Sequence, residues 1–299
     1  NAPFRKILRT LVMLFALRSQ SDSEISVIKY SHNMGLNIVD DLADFSLETM
    51  TLGNQTKDVF WKGTGPCVVV LSEIPGITPE VAEFARRLAT HGFTVSMPNL
   101  FGTPGKPFSN AYALKSMTQA CISKEFLVFA RGRSSPVTNW IRKLVGIAVS
   151  RCGGEGVGVV GMCFTGGFAL ALAVDPLVKA PVMSQPSLPL PLGKKRKENL
   201  GLSKEELLIV KERVHKEQLC VFGLRFTKDP LVPETRFQKL KDELGDGFIG
   251  IEIDSSSSNS YGIQKSAHSV LTTEFRDTPE HPTFIAHEKV INHFKQQLF

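Results

Sequence analysis

The chain has 299 residues, of which 42% are hydrophobic, enough for one large globular domain with a substantial buried core. No apolar run approaches the ~20 residues of a membrane-spanning helix, and no short internal repeat is present. Much of the excess behind the formal charge of +6 lies at the N-terminus and in KKRK at 194–197. With no interleaved aromatics and no recognition motif beside it, it reads as solvated surface rather than a nucleic-acid patch.

The segment 1–20 carries an apolar run, Leu11 to Leu17, behind Arg5, Lys6 and Arg9. It has the character of a signal core or a basic amphipathic helix on a membrane, but no small-residue cleavage site follows it. Residues 1–48 are therefore set apart as an N-terminal extension, amphipathic or targeting, with dispensability favoured over membrane contact. The domain is placed at 49–299.

GPCVVVLSE at 65–73 is a β-branched run, too short for a helix and bounded by glycine and proline, so it is expected to be a buried strand. The stretch 77–93 follows as a helix, with Pro79 in its first turn, Val81, Phe84, Ala85 and Leu88 on one face, and Gly92 at its stop. A strand at 93–98, a glycine- and proline-rich loop at 99–109, an amphipathic helix at 137–150 and a strand at 157–162 come next. Further strands are expected at 180–185, 218–224 and 247–253, and a last helix at about 283–298. Strand followed by helix, several times over, predicts an α/β fold with a mostly parallel sheet covered on both faces. Residues 186–217 change from proline-rich to highly charged and are read as an insertion made of a surface loop and a solvated helix.

Five cysteines, at 67, 121, 152, 163 and 220, show neither disulfide-scaffold nor metal-ligand spacing, which fits a reducing, cytoplasmic compartment. Cys163 stands apart. In GMCFTGGFALALA (161–173) it falls between a strand and a glycine-opened helix, where an open parallel sheet presents its ligands. A sharp turn there lifts the side chain off the sheet, and a helix N-terminus beside it favours thiolate. A buried structural cysteine is the competing reading. An acid and a histidine in the chain order nucleophile, acid, histidine favour the nucleophile. Asp229 follows the strand at 218–224 in RFTKDPLVPETRF, and its alternative role is that of a turn residue. His268 and His281 occupy the loop before the last helix, and His268 is preferred because His281 precedes Pro282 as a lead-in to that helix. His91, His287 and His293 are expected at a helix end or in packing.

GMCFTGGFALALA, the stretch LSEIPGITPEVAEFARRLATHGFTVSMPNLFG (71–102), DPLVP and AHSV together resemble the dienelactone hydrolase family, a carboxymethylenebutenolidase-like branch of the α/β-hydrolase fold. The resemblance spans roughly 50–299. It implies Cys163 as nucleophile, His268 as general base and Asp229 as its orienting acid, with Glu73 contacting the resting thiol. A carboxylate at the end of an apolar strand also needs a partner on physical grounds. The oxyanion donors are then the backbone N–H groups of Ile74 and Phe164. The chemistry is hydrolysis of a small ester or lactone through an acyl-enzyme, with no metal or organic cofactor. Two positions depart from the family: Thr165 replaces a glycine two residues after the cysteine, and Thr272 stands where enzymes for anionic dienelactones carry an arginine. Arg131, Arg133, Arg225 and Arg276 are the candidate replacements. The alternative is a non-catalytic relative that binds a small molecule, or recruits a protein through 186–217.

Overall fold

The computed structural model describes residues 38–122, 136–189, 191 and 194–299. The chain builds strands β1 (Ser46–Leu52), β2 (Gln55–Lys62) and β3 (Cys67–Leu71), helix α1 (Pro79–Thr90), strand β4 (Thr94–Pro98) and helices α2 (Asn110–Ile122) and α3 (Pro136–Cys152). Strand β5 (Val157–Met162), helix α4 (Gly166–Leu172), strand β6 (Val178–Ser184) and helices α5 (Lys194–Lys197) and α6 (Lys204–Glu217) follow. Strand β7 (Val221–Phe226), helix α7 (Glu234–Leu244), strand β8 (Phe248–Ile253) and helix α8 (Pro282–Leu298) complete the described elements.

The eight strands form one sheet in the order β1-β2-β4-β3-β5-β6-β7-β8. From β4 to β8 all neighbours are parallel, while β1 and β2 add an antiparallel hairpin at one edge. The hairpin begins at Ser46, so the sheet reaches into the segment that the sequence sets apart as an extension. Asp40 and Asp44 reinforce this edge by accepting from the Arg86 guanidinium on α1 at 2.7 to 2.9 Å. Hydrogen bonds from Arg86 hold both carboxyls below the ordinary aspartate range.

The period-2 alternation of the strands divides the core into two layers. Cys67, Val69 and Leu71 of β3 face α3 and α4, whose Trp140, Ile141, Leu144 and Phe168 are buried there. Val68 and Val70 face the opposite layer, formed by Val81, Phe84 and Leu88 of α1 and Val290, Ile291 and Phe294 of α8. Helices on both faces follow from these central strands being apolar on both sides.

Residues 186–217 connect β6 to the parallel β7 and contain α6. Most of α6 faces solvent, but it is docked by Val210 and by Arg213, which is 4% exposed. Arg213 donates to the carbonyls of Ala173 and Asp175 at 2.7 Å and of Val178 at 3.1 Å, tying α6 to the turn between α4 and β6. Among the described residues no helix is long and apolar enough to cross a membrane. The N-terminal segment 1–37, with its suggested membrane or targeting role, lies outside the described residues.

Candidate active site

β5 ends at Met162, and the next residue, Cys163, has a φ of +51° in the left-handed region. Such a conformation costs a β-carbon-bearing residue about 1–3 kcal/mol and persists only when its surroundings enforce it. Two glycines make the turn sterically possible. A Cβ on Gly161 would sit 2.2 Å from the Thr165 carbonyl oxygen, and one on Gly166 would sit 2.6 Å from Pro186 Cα.

Thr165 gives the turn its polar support. Its buried Oγ1 accepts from the Met162 N–H at 2.9 Å and lies 2.9 Å from the Leu71 carbonyl and 3.2 Å from that of Ser72. Thr165, where the family resemblance leads one to expect glycine, thus ties the cysteine turn to the end of β3. Thr165→Val removes the hydroxyl at nearly constant volume and leaves the buried Met162 N–H without an acceptor. A loss of about 1–3 kcal/mol in folding stability is expected in urea unfolding.

The loop after β7 carries Asp229, and the loop after β8 carries His268. Both are buried, at 4% and 5% exposure. His268 Nδ1 is 2.5 Å from Asp229 Oδ2. Asp229 is also the turn residue that its setting suggested, since its Oδ1 accepts from the Leu231 N–H at 2.9 Å. The other histidine nitrogen, Nε2, is buried with no hydrogen-bond partner, and a nitrogen of the ring lies within 4.8 Å of Cys163 Sγ. Burial alone would push the imidazole pKa down, but the Asp229 charge and the Cys163 sulfur outweigh it and hold the pKa well above the ordinary histidine value. The arrangement favours an imidazolium beside the Cys163 sulfur.

Glu73, 6% exposed, closes the group, and one ligand atom from each of Glu73, Cys163 and His268 lies within 4.8 Å of the others. Among the described residues this is the one cluster of three such atoms with metal-ligand proximity, and its sulfur and nitrogen are the atoms that nucleophile and base chemistry would employ. The Glu73 carboxylate takes its hydrogen bonds elsewhere than from the thiol. Ser269 Oγ donates at 2.6 Å, Gln185 Nε2 donates at 3.3 Å, and the Thr272 hydroxyl donates to the second oxygen. Thr272, at the position of the family's arginine, therefore binds the glutamate through a neutral hydroxyl. Sequence reasoning did not identify Ser269 and Gln185 as partners.

A cavity of about 790 Å³ opens over these groups. Ile74, Phe108, Met117, Phe164 and Leu231 make an apolar wall, and Ser256, Ser257, Asn259 and Gln264 bring polar groups from the loop before His268. Ile74 and Phe164, whose backbone N–H groups are the expected oxyanion donors, both border the cavity beside Cys163. Among the described residues, its cationic lining side chains are those of Lys228 and Lys265. Arg225 is committed to Glu252 and to the carbonyls of Thr227 and Val232, and Arg276 to the carbonyls of Thr273 and Phe275. Neither lines the cavity, and Arg131 and Arg133 lie outside the described residues.

Ser187 supports the cysteine from the β6 side. Its N–H donates to the Cys163 carbonyl at 3.0 Å, and its Oγ lies 3.5 Å from Sγ. This segment is pinned by the buried Arg236, which donates to the carbonyls of Pro186 and Pro189, and burial lowers that guanidinium's pKa to about 10. Four other histidines serve the fold: His91 ends α1, His281 caps α8 by accepting from the Thr283 N–H at 3.2 Å, His287 packs against Phe84, and His293 stacks on Phe222.

A mostly parallel eight-stranded sheet with a left-handed cysteine turn after β5, and with an acid and a histidine delivered from the loops after β7 and β8, defines an α/β-hydrolase. Residues 56–297 match the dienelactone hydrolase family, and the chain belongs to that family of hydrolases. A Klebsiella pneumoniae protein assigned as a dienelactone hydrolase shares 16% identity at a TM-score of 0.56, over 84% of this chain and 98% of that one. The dienelactone hydrolase-like promiscuous phosphotriesterase P91 from metagenomic libraries shares 20% identity at 0.53, over 85% and 98% of the two chains. Est1E from Butyrivibrio proteoclasticus shares 11% identity at 0.53, over 84% and 98%. No curated protein sequence matches the chain. Likeness at these identities is one of fold.

Proposed function

We propose that the protein hydrolyses small esters or lactones with a Cys163–His268–Asp229 triad through a thioester acyl-enzyme. The observation that carries this reading is the buried 2.5 Å contact between His268 and Asp229, with a nitrogen of the same ring within 4.8 Å of Cys163 Sγ and both residues lining the cavity. A module that only binds ligands has no use for such a buried, charge-balanced histidine.

In the first half-reaction the Cys163 thiolate attacks the acyl carbon and the carbonyl π electrons move to oxygen, where the N–H groups of Ile74 and Phe164 stabilise the oxyanion. Collapse of this intermediate breaks the acyl C–O bond, and the departing alkoxide takes the Nε2 proton from His268. With a lactone the new alcohol stays tethered to the acyl group. In the second half-reaction His268 removes a proton from water, the resulting hydroxide attacks the thioester, and collapse of the intermediate breaks the C–S bond, so that Cys163 regains its thiolate and the carboxylic acid leaves and gives its proton to solvent. Asp229 holds the imidazole in the required tautomer and offsets its charge. Glu73 places a second carboxylate beside the imidazolium and, through Ser269 and Thr272, ties the histidine loop to β3.

Rapid mixing with excess p-nitrophenyl acetate tests the reading. The expected result is a burst of p-nitrophenol close to one equivalent per Cys163, followed by slower steady release, with turnover of small lactones by the same preparation. A folded protein that gives neither burst nor turnover with either substrate class would overturn it.

A further inference from the structure

The cavity brings three kinds of metal-binding atom together. A carboxylate oxygen of Glu73, Sγ of Cys163 and a ring nitrogen of His268 all lie within 4.8 Å of one another, and the three residues line the same cavity. The proposed ester chemistry employs the sulfur and the nitrogen, but the Glu73 carboxylate accepts its hydrogen bonds from Ser269, Gln185 and Thr272. The His268 ring has one nitrogen left to offer. Nδ1 is engaged by Asp229 Oδ2 at 2.5 Å, whereas Nε2, in a residue only 5% exposed, has no hydrogen-bond partner.

We infer that Glu73, Cys163 and His268 form a zinc-binding site whose occupation closes the thiol to chemistry. Thiolate sulfur, imidazole nitrogen and carboxylate oxygen are the donor types that Zn²⁺ takes, whereas Mg²⁺ and Ca²⁺ seek oxygen. Tetrahedral coordination, with bonds of about 2.3 Å to sulfur and about 2.0–2.2 Å to nitrogen and oxygen, spaces neighbouring ligand atoms about 3.5 Å apart. Atoms that start within 4.8 Å of one another reach that spacing by a shift of about 1 Å, and the half-buried Cys163 on the cavity wall is the side chain with room to make it. The metal replaces the protons carried by the sulfur and by Nε2, which pass to solvent, and three protein ligands leave a fourth position for a water drawn from the cavity.

The groups behind the three ligands are those that a metal site needs. A histidine on zinc passes its other ring nitrogen to a carboxylate, carbonyl or water, which fixes the ring, and Asp229 holds Nδ1 in that way. A ligating carboxylate is in turn held by hydrogen bonds, and Glu73 accepts from Ser269 at 2.6 Å, from Gln185 at 3.3 Å and from the Thr272 hydroxyl. Asp229, Ser269, Gln185 and Thr272 are all buried, so they orient the two ligands without competition from solvent. For the proposed ester chemistry the consequence is inhibition, because the metal takes up the sulfur and the nitrogen lone pair that hydrolysis needs.

The test adds zinc chloride to reduced, metal-free wild-type protein and follows Cys163 by alkylation with iodoacetamide and peptide mass. The expected result is that one equivalent of zinc protects Cys163, that EDTA restores its alkylation, and that the same amount of magnesium chloride gives no protection. Cobalt chloride in place of zinc is expected to produce a near-ultraviolet thiolate-to-cobalt charge-transfer band that Cys163→Ala lacks. Asp229→Asn, which removes the carboxylate behind the ligating ring, is expected to weaken zinc binding about 10–100-fold. Alkylation of wild-type Cys163 at an unchanged rate in excess zinc would overturn the inference. So would a cobalt spectrum without the thiolate band, or with a band that Cys163→Ala retains in full. The wild-type readout does not depend on a variant folding, and none of these measurements requires ester turnover, so the metal site and the ester chemistry can fail separately.

Discussion

Cys163→Ala is expected to lower ester and lactone turnover by about 10⁴-fold or more, the scale on which loss of a nucleophile acts when base and oxyanion donors remain. The fold should persist. The half-buried sulfur makes its polar contacts with Ser187 Oγ and the His268 ring, and neither partner belongs to the hydrophobic core. The strained φ of +51° is shared by cysteine and alanine, so the change in stability is expected within about 1 kcal/mol. Steady-state assays beside urea unfolding of both proteins check the two halves of this statement. A variant that retains more than a small fraction of wild-type kcat would remove Cys163 from the reaction.

Asp229→Asn is expected to act almost as strongly and in a way that packing loss does not imitate. Its amide oxygen can still accept from the Leu231 N–H, so the turn is conserved, but the NH₂ group now faces His268 Nδ1. A donor there demands a proton-free Nδ1 and places the ring proton on Nε2, so the neutral imidazole can no longer act as a base toward Cys163. A loss of about 10³–10⁴-fold in kcat is expected from this tautomer change. The pH dependence supplies the sign. The wild-type imidazole is held above the ordinary 6.5, so the imidazolium survives to higher pH and the alkaline limb of activity lies well above 6.5. Without the Asp229 charge, burial gains weight, the imidazole pKa falls, and the alkaline limb moves to lower pH. Titration of the His268 ring by NMR and the kcat/KM profile should move together in that direction.

The central sheet was legible because its strands are short apolar runs broken by glycine and proline. Val157–Met162 was placed residue for residue, and helix Pro79–Thr90 by its proline and its apolar face. The β1–β2 hairpin was not recognised. It is an edge element with Leu47 exposed and charged residues along both strands, so its alternation is too weak to separate it from a polar loop. Helix Asn110–Ile122 escaped for a similar reason, since its apolar residues form no continuous stripe in the sequence. At the site, Cys163 announced itself through its local turn, whereas Asp229 and His268 were selected by chain order and loop position.

The partners of Glu73 left no such trace. Gln185, Ser269 and Thr272 are 112, 196 and 199 residues away, and single hydroxyls or amides carry no periodic signal that could report a contact formed only by folding. The same holds for Thr165, which reads as a departure from a family glycine until its oxygen is seen joining the cysteine turn to the end of β3. Two of the four arginines that could hold a substrate carboxylate, Arg225 and Arg276, do not line the cavity, because sequence ranks cations by type and not by commitment. Arg225 and Arg276 are spent on backbone carbonyls and acidic neighbours, and among the described residues the cations on the cavity wall are lysines.

The most direct measurement is the intact mass and peptide map of wild-type protein quenched in acid milliseconds after mixing with p-nitrophenyl acetate, beside Cys163→Ala. The account predicts an acetyl group on the peptide that carries Cys163, labile to hydroxylamine, formed and lost at rates that match the burst and steady phases, and absent from the variant. Turnover with no adduct at Cys163, or an acetyl group carried by another residue at a kinetically competent rate, would contradict it.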